Sequence, residues 1–274
     1  MYTEYGYKSK ELYFKHQITA AAECSSFAVH THNLYELLYF VGGDATYAIE
    51  GKRYKLKKGD LMLIRPLKYH FIEINPTADY ERYDILFDER IIGTHLTSRV
   101  SDSVEIMNIA SNPMASDIFK RIDAYADGLT KDDFFDILPL LIKELFYAIG
   151  IDKGESTREI RETNPILSGA LQYINDNLFT LQSISEVSNS LFITESYLYR
   201  IFKNELHKSP KKYIRDKRLL ASQSLIQMGE RPTEIYERCG FSDYTSFFRS
   251  YKEYFGYPPS KEHDYSYDIF EDTH

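Results

Sequence analysis

The chain has 274 residues, 43% of them apolar and 27% charged, with a net charge of −8; this leaves room for about two globular domains and is neither a disordered nor a fibrous composition. Its two cysteines, Cys24 and Cys239, lie in different halves and form no CxxC or metal-type spacing, which excludes a disulfide scaffold and points to a reducing, cytoplasmic compartment. Residues 1–15 are polar and tyrosine-rich without a signal-peptide core, and no run is long enough to span a bilayer, so no membrane partner is expected.

Residues 17–90 are predicted to be strands. Short aromatic and aliphatic runs at 26–30, 35–41, 45–49, 53–56, 61–64, 70–74 and 80–87 are separated by Gly42-Gly43-Asp44, Glu50-Gly51-Lys52 and Lys58-Gly59-Asp60, and Arg65-Pro66 ends one strand. Many short strands at even spacing predict a barrel or a double-sheet roll. Within this region His30, His32 and Glu36 share parity, so on an unbroken strand their side chains share a face, and a break before Glu36 would spoil the count. With the later His70 they make three imidazoles and one carboxylate, a set that suits a divalent transition metal. The spacing resembles the cupin family, whose double-stranded β-roll often holds such a site. The second cupin motif is weaker here, since Gly59-x6-Pro66-x3-His70 lacks a glycine after the proline and a polar residue after the histidine.

From about Ser103 the period becomes helical: Val104, Ile106-Met107, Ile109-Ala110, Ile118-Phe119, Ile122 and Tyr125-Ala126, then an unusually apolar stretch at 134–149. Two or three amphipathic helices follow. The last is read as pairing with a second copy of the chain in preference to burial in its own domain. Residues 151–164 are charged without a large apolar stripe and are read as a linker. Asn164-Pro165 then caps and opens a helix expected to run through Phe179.

A repeat dominates the last hundred residues. Tyr197-Leu198-Tyr199-Arg200-Ile201-Phe202-Lys203 is echoed by Ser246-Phe247-Phe248-Arg249-Ser250-Tyr251-Lys252, with apolar residues on one helical stripe and Arg and Lys outside it. Each copy is preceded by a short helix and a turn: Thr180 to Ser188 before a helix capped by Thr194, and Pro232 to Cys239 before one capped by Ser242. A long helix opened by Ser209-Pro210 and stopped by Gly229 joins them. A pair of helical hairpins used only for packing would not need Arg200/Arg249 and Lys203/Lys252 to recur. The net charge opposes DNA binding, but residues 165–263 hold thirteen Lys and Arg against eleven Asp and Glu, so the positive charge collects where the repeat is.

Residues 165–263 strongly resemble the AraC/XylS family of transcriptional regulators, above all through Gly240-Phe241-Ser242-Asp243, Phe247, Arg249, Lys252, Gly256 and Pro258-Pro259. Departures from the family pattern are Ser188 and Tyr236 for a small alanine, His207 for a glycine, and Glu262-His263 for an aromatic-Arg pair. The resemblance implies a double helix-turn-helix whose second helices read the major groove. Ser196, Tyr199 and Arg200, with Tyr244, Thr245, Ser246 and Arg249, become the base-facing candidates, and Lys203 and Lys252 the phosphate contacts. Family members commonly carry a cupin-like roll as sensing domain, often without metal. Three readings of the histidines therefore stay open: polar groups of an effector pocket, structural hydrogen bonding, and a bound metal. His30, His32, Glu36, Arg65 and His70 are the candidate effector contacts, with no metal and no cofactor assigned.

The expected architecture is two-domain α+β. Residues 1–150 form a cupin-like sensing and dimerisation domain (roll about 17–90, helices about 103–150), 151–164 a linker, 165–263 an all-α double helix-turn-helix domain, and 264–274 an acidic tail. The expected function is sequence-specific transcriptional regulation, not catalysis. Expected partners are operator DNA, a small-molecule effector for which a sugar is one candidate by resemblance, a second copy through helices 103–150, and RNA polymerase if the chain activates. A metal-dependent cupin enzyme with an accessory helical domain is the alternative.

Overall fold

The computed structural model describes residues 3–8, 11–19, 29–75, 79–151 and 164–263. Residues 152–163 of the expected linker, the acidic tail, Cys24 and most of the expected 26–30 strand lie outside the described residues. Strands β1 (Thr3–Lys8), β2 (Leu12–Thr19), β3 (Tyr35–Gly42), β6 (Asp60–Ile64), β8 (Tyr80–Phe87) and β9 (Ile106–Asn108) form one antiparallel sheet in the order β1-β2-β8-β3-β6-β9. The second sheet is β5 (Lys52–Lys55), β4 (Ala45–Ile49) and β7 (His70–Ile74), also antiparallel.

Side-chain alternation sorts the roll into an inside and an outside. Leu38, Phe40, Tyr47, Ile49, Met62, Ile64, Ile72 and Ile74 meet between the sheets. Their neighbours Leu37, Leu61, Leu63, Ile85 and Phe87, with Leu12 and Phe14, face the other way and pack under α3 (Pro113–Gly128) and α4 (Lys131–Ile151). Both faces of β6 are therefore covered, and all five of its residues are buried. Gly59 makes the turn into β6: its φ of +85° suits glycine, and a Cβ there would stand 2.5 Å from that of Ala110.

Several expectations need correction. The sheet begins before residue 17: Leu12 and Phe14 alternate with Tyr13 and Lys15 on a strand paired to β8. The helical reading of Val104 to Ala110 fails, because Ile106–Asn108 add to the edge of β6 as β9. Two single-turn helices, α1 (Glu89–Ile92) and α2 (Thr94–Thr97), were not expected. The apolar excess of α4 goes mostly into its own domain, where Phe134, Leu138, Ile142 and Phe146 are fully buried; Leu140 and Tyr147 remain exposed. No helix among the described residues is long and apolar enough to cross a membrane.

His16 of β2 stitches the sheet to α3. It lies 3.0 Å from both Asp123 and Glu81 and stacks on Tyr83. Burial alone lowers its pKa, but the two carboxylates outweigh burial and raise it above the ordinary 6.5. The stabilisation is thus fully present below about pH 6.5 and is lost as pH rises through the raised value. The Tm difference between wild type and His16→Asn is expected to be largest near pH 6 and to shrink towards pH 9; a difference independent of pH would contradict the pairing.

The second domain opens with α5 (Pro165–Asp176), capped by the Asn164 side chain and ending three residues before Phe179. Then come α6 (Ile184–Ser190), α7 (Glu195–Leu206), α8 (Pro210–Gln227), α9 (Pro232–Ile235) and α10 (Tyr244–Phe255). Helix α9 is half the expected length. The cap of α10 is Asp243 rather than Ser242, its carboxylate accepting from Ser246 N at 2.8 Å.

Candidate nucleic-acid interface and the polar cluster of the roll

Helices α7 and α10 are each 12 residues long and carry the repeat in matching places. Leu198, Ile201, Phe202 and Leu206 bury the inner face of α7; Phe247, Tyr251 and Phe255 do so for α10. Thr194 caps α7 through Tyr197 N. His207 stands where the family has glycine and adopts the left-handed conformation at the end of α7 (φ 53°), as Gly256 does after α10. Glu262, another of the departures, is buried and accepts from Tyr251 Oη at 2.5 Å, Tyr257 Oη at 2.9 Å and Gln227 Nε2 at 2.8 Å, tying α10 to the end of α8.

The outer faces match one another. Ser196, Arg200 and Lys203 on α7 and Thr245, Ser246, Arg249 and Lys252 on α10 are exposed. Tyr199 and Tyr244 are half-buried, with Tyr199 packed on the α5–α7 core and Tyr244 against Tyr236 and Phe247. Arg200 lies over the Tyr197 ring at 4.9 Å. Among the described residues Arg200, Lys203, Arg249 and Lys252 form no ion pair, which leaves their charge to a partner. Other cations of this domain are committed internally: Lys208 to Asp216, Arg215 to Glu253, Arg231 to Glu234, Arg238 to Glu230. Arg218 is clamped to three backbone carbonyls, at Leu178, Leu181 and Gly240. Phe192, wholly exposed with φ 54° in the turn before α7, had no signal in the sequence.

In the roll the structure brings His30, His32, Glu36 and His70 together, with one ligand atom from each within 4.8 Å of the others. The chain does bend between His32 and Glu36, yet His32 returns to the site by donating Nδ1–H to Leu34 O (2.9 Å). His70 is held the same way, on Lys68 O at 2.8 Å. Both Nε2 atoms lie 3.0 Å from Glu36 Oε2, and Tyr47 Oη donates to Glu36 Oε1 at 2.9 Å. Burial opposes the Glu36 charge, but His70 and His32 hold its carboxyl well below the usual range. Burial pushes His32 down; for His70 the Glu36 carboxylate overcomes burial and raises it. Three imidazoles and a carboxylate of this kind fit a divalent transition ion.

Arg65 does not join them. Its guanidinium donates to Val104, Val100 and Ser101 carbonyls and meets Asp102 at 3.0 Å, pinning the loop before β9. Arg82 and Asp84 of β8 were missed: with Tyr80 they share the inward parity, and both are buried. Asp84 meets Arg82 Nε at 2.5 Å, but neither carboxylate oxygen completes a hydrogen bond among the described residues, and burial raises its pKa to about 6 against the pull of Arg82. Polar groups aimed into a roll interior and left incompletely bonded are what a ligand would complete.

The cluster also abuts the second domain. Tyr69, next to His70, is buried in the α5–α8 core. Its ring stacks on Tyr213 at 4.8 Å, its hydroxyl donates to Asp216 at 2.8 Å, and its backbone N–H donates to Glu50 at 2.7 Å. Glu50 also accepts from Tyr213 Oη and lies 3.5 Å from Lys217 Nζ.

The sequence patterns of two families match this chain: the AraC-like ligand binding domain over residues 17–138 and a helix-turn-helix domain over 187–263. A probable transcriptional regulator, LumQ, of Photobacterium leiognathi is 30% identical over 136 residues, 49% of this chain and about half (52%) of that protein's length. The lactose operon transcription activator of Staphylococcus xylosus is 25% identical over 235 residues, covering 78% of this chain and 77% of that protein. Among solved structures, ToxT from Vibrio cholerae O395 aligns over 95% of this chain and 99% of its own, at 12% identity and a TM-score of 0.38.

Proposed function

The chain belongs to the AraC family of transcriptional regulators, and from that premise we propose that it reads an operator at two points, under the control of a small molecule held in the roll. The observation that carries this reading is the pair of capped helices α7 and α10. They present Arg200/Lys203 and Arg249/Lys252 at matching positions, at either end of one 18-residue helix. That helix spans about 27 Å at 1.5 Å per residue, a spacing compatible with successive major grooves about 34 Å apart. Arg200 and Arg249 read guanine; Ser196, Tyr199, Tyr244, Thr245 and Ser246 read neighbouring bases; Lys203 and Lys252 hold phosphates.

Residues 1–150 act as the sensing and dimerising domain, 151–164 as linker and 165–263 as reader, in the cytoplasm. Glu36, His70, Tyr47, Tyr80, Arg82 and Asp84 supply the effector's polar contacts. A carbohydrate effector is supported by one relative being named for the lactose operon. A second copy would pair through the surface of α3 and α4 that carries Met114, Leu140 and Tyr147, and RNA polymerase is the further partner if bound DNA is activated.

Genome-wide mapping of bound DNA followed by footprinting tests the reading. Two protected major-groove segments about one helical turn apart are expected; no enriched sites, or a single contacted groove, would overturn it. Replacing Lys203 and Lys252 together by glutamine is expected to weaken binding about equally on all sequences and to reduce the slope of log K against log salt by about 2. An unchanged slope in a binding titration series would remove them from the phosphate contacts.

A further inference from the structure

We propose that Lys211 and Arg215 of α8 seat a backbone phosphate of the DNA between the two grooves that are read, and that Glu253 occupies Arg215 until that phosphate displaces it. The proposal rests on the two-point reading above and deepens it. It adds a third contact, midway between the reading helices, that carries no base preference.

Helix α8 has two working faces. Tyr213, Asp216 and Lys217 turn towards the roll, where they meet Glu50 and Tyr69. Lys211, Arg215 and Arg218, spaced i, i+4 and i+7, form a stripe about half a turn round the same helix. That stripe borders a cleft of about 240 Å³ to which no residue of the roll contributes. The walls come from both reading units: Gln182 and Ser183 ahead of α6, and Phe241 ahead of α10. All the charged residues lining it are cations.

The three cations are not equivalent. Arg218 spends its donors on the carbonyls of Leu178, Leu181 and Gly240, so it holds the walls together and has none left for an anion. Lys211 is exposed and forms no ion pair among the described residues. Arg215 reaches Glu253 only through two long contacts, 3.3 and 3.5 Å, and its Nε, 3.9 Å from Asp216 Oδ1, completes no hydrogen bond. The two side chains of the Arg215–Glu253 pair are 36% and 67% exposed, and a surface pair of that kind is weak.

Glu253 also fixes where Arg215 lies relative to DNA. Ser246, Arg249 and Glu253 follow one another at i, i+3 and i+7 and are all exposed, so Glu253 shares the reading face of α10. A duplex laid on that face to meet Arg249 runs past Arg215. Two major-groove segments on one side of a duplex have a minor groove and its phosphate backbones between them. A guanidinium fork takes a phosphate better than a loosely held carboxylate, and Lys211 adds a point charge beside it.

The test uses the full-length chain and a duplex carrying the footprinted operator. Ethylation, which removes the charge of single phosphates, should interfere with wild-type binding at a phosphate between the two protected grooves. Arg215→Gln should lose that interference alone, weaken binding on all sequences and reduce the slope of log K against log salt by about 1. Glu253→Gln, a surface change that does not endanger the fold, should tighten binding by about 2- to 5-fold. The gain should vanish when Arg215→Gln is also present, which separates release of Arg215 from general repulsion of DNA by Glu253. An interference map of Arg215→Gln identical to that of wild type overturns the seat, as does a gain from Glu253→Gln that survives without Arg215. Altered base preference in Arg215→Gln also overturns it, by making Arg215 a base reader. In each of these cases two protected major-groove segments in the wild-type footprint leave the two-point reading standing; their absence removes the reading and the seat together.

Discussion

Arg249→Ala is expected to weaken operator binding by about 10- to 100-fold and to relax base preference at one position, the loss of one bidentate guanine contact. Arg249 is exposed on α10, two residues beyond Phe247 and two before Tyr251, both of which are fully buried. Removing its side chain beyond Cβ therefore leaves the stripe that seats the helix untouched, and Asp243 still caps the N-terminus. Tm should stay within about 1–2 °C of wild type, as for a surface substitution. Anisotropy titrations against a panel of single-base operator variants would show the effect: wild type discriminates at that position, and the variant does not. Equal affinity and an unaltered preference profile would take Arg249 out of the interface. Arg200→Ala should act at the other half of the site. The two halves should prefer different sequences, because Tyr199 answers to Phe248 and Ser196 to Thr245.

The reading helices were legible in the sequence because their determinants are local. An apolar stripe, a cap and a stop recur within each copy, and tertiary contacts only confirm what the 3.6 period imposes. The roll shows where local signals run out. Val104, Ile106, Met107 and Ile109 fit a helical stripe as well as a strand edge, and only pairing with β6 decides. Arg82 and Asp84 resemble the solvent side of an alternating strand; register places them opposite Phe40 and Leu38, inside the roll. Arg65 stands close to the histidines in sequence, but its guanidinium is drawn to the loop before β9. Tyr69 and Asp216, 147 positions apart, carry no sequence signal for their bond. Asp243 took the cap from Ser242 because a carboxylate one residue nearer the helix reaches Ser246 N.

Arg218→Met should lower the stability of the helix-turn-helix domain by about 2–4 kcal/mol, the cost of leaving half-buried carbonyls without a charged donor. In the sequence Arg218 counts among the cations available to DNA. In the structure its three donors go to Leu178 O (2.7 Å), Leu181 O (2.6 Å) and Gly240 O (2.7 Å). One side chain on α8 thereby joins the end of the first domain helix, the approach to α6, and the turn before α10. Gly240 is shaped to that contact: its φ is +81°, and a Cβ there would fall 2.6 Å from Arg218 Nε and 2.9 Å from Phe179 O. Methionine keeps the stem but not the fork, so the two reading units lose their common tie without losing a DNA contact. Operator affinity should therefore fall while the slope against salt stays at the wild-type value, unlike the Lys203 and Lys252 pair, where the slope itself decreases. Urea unfolding of the full chain, followed by far-ultraviolet dichroism, measures the stability change. A reduced salt slope with unaltered unfolding would make Arg218 a phosphate ligand instead, and the three carbonyls incidental.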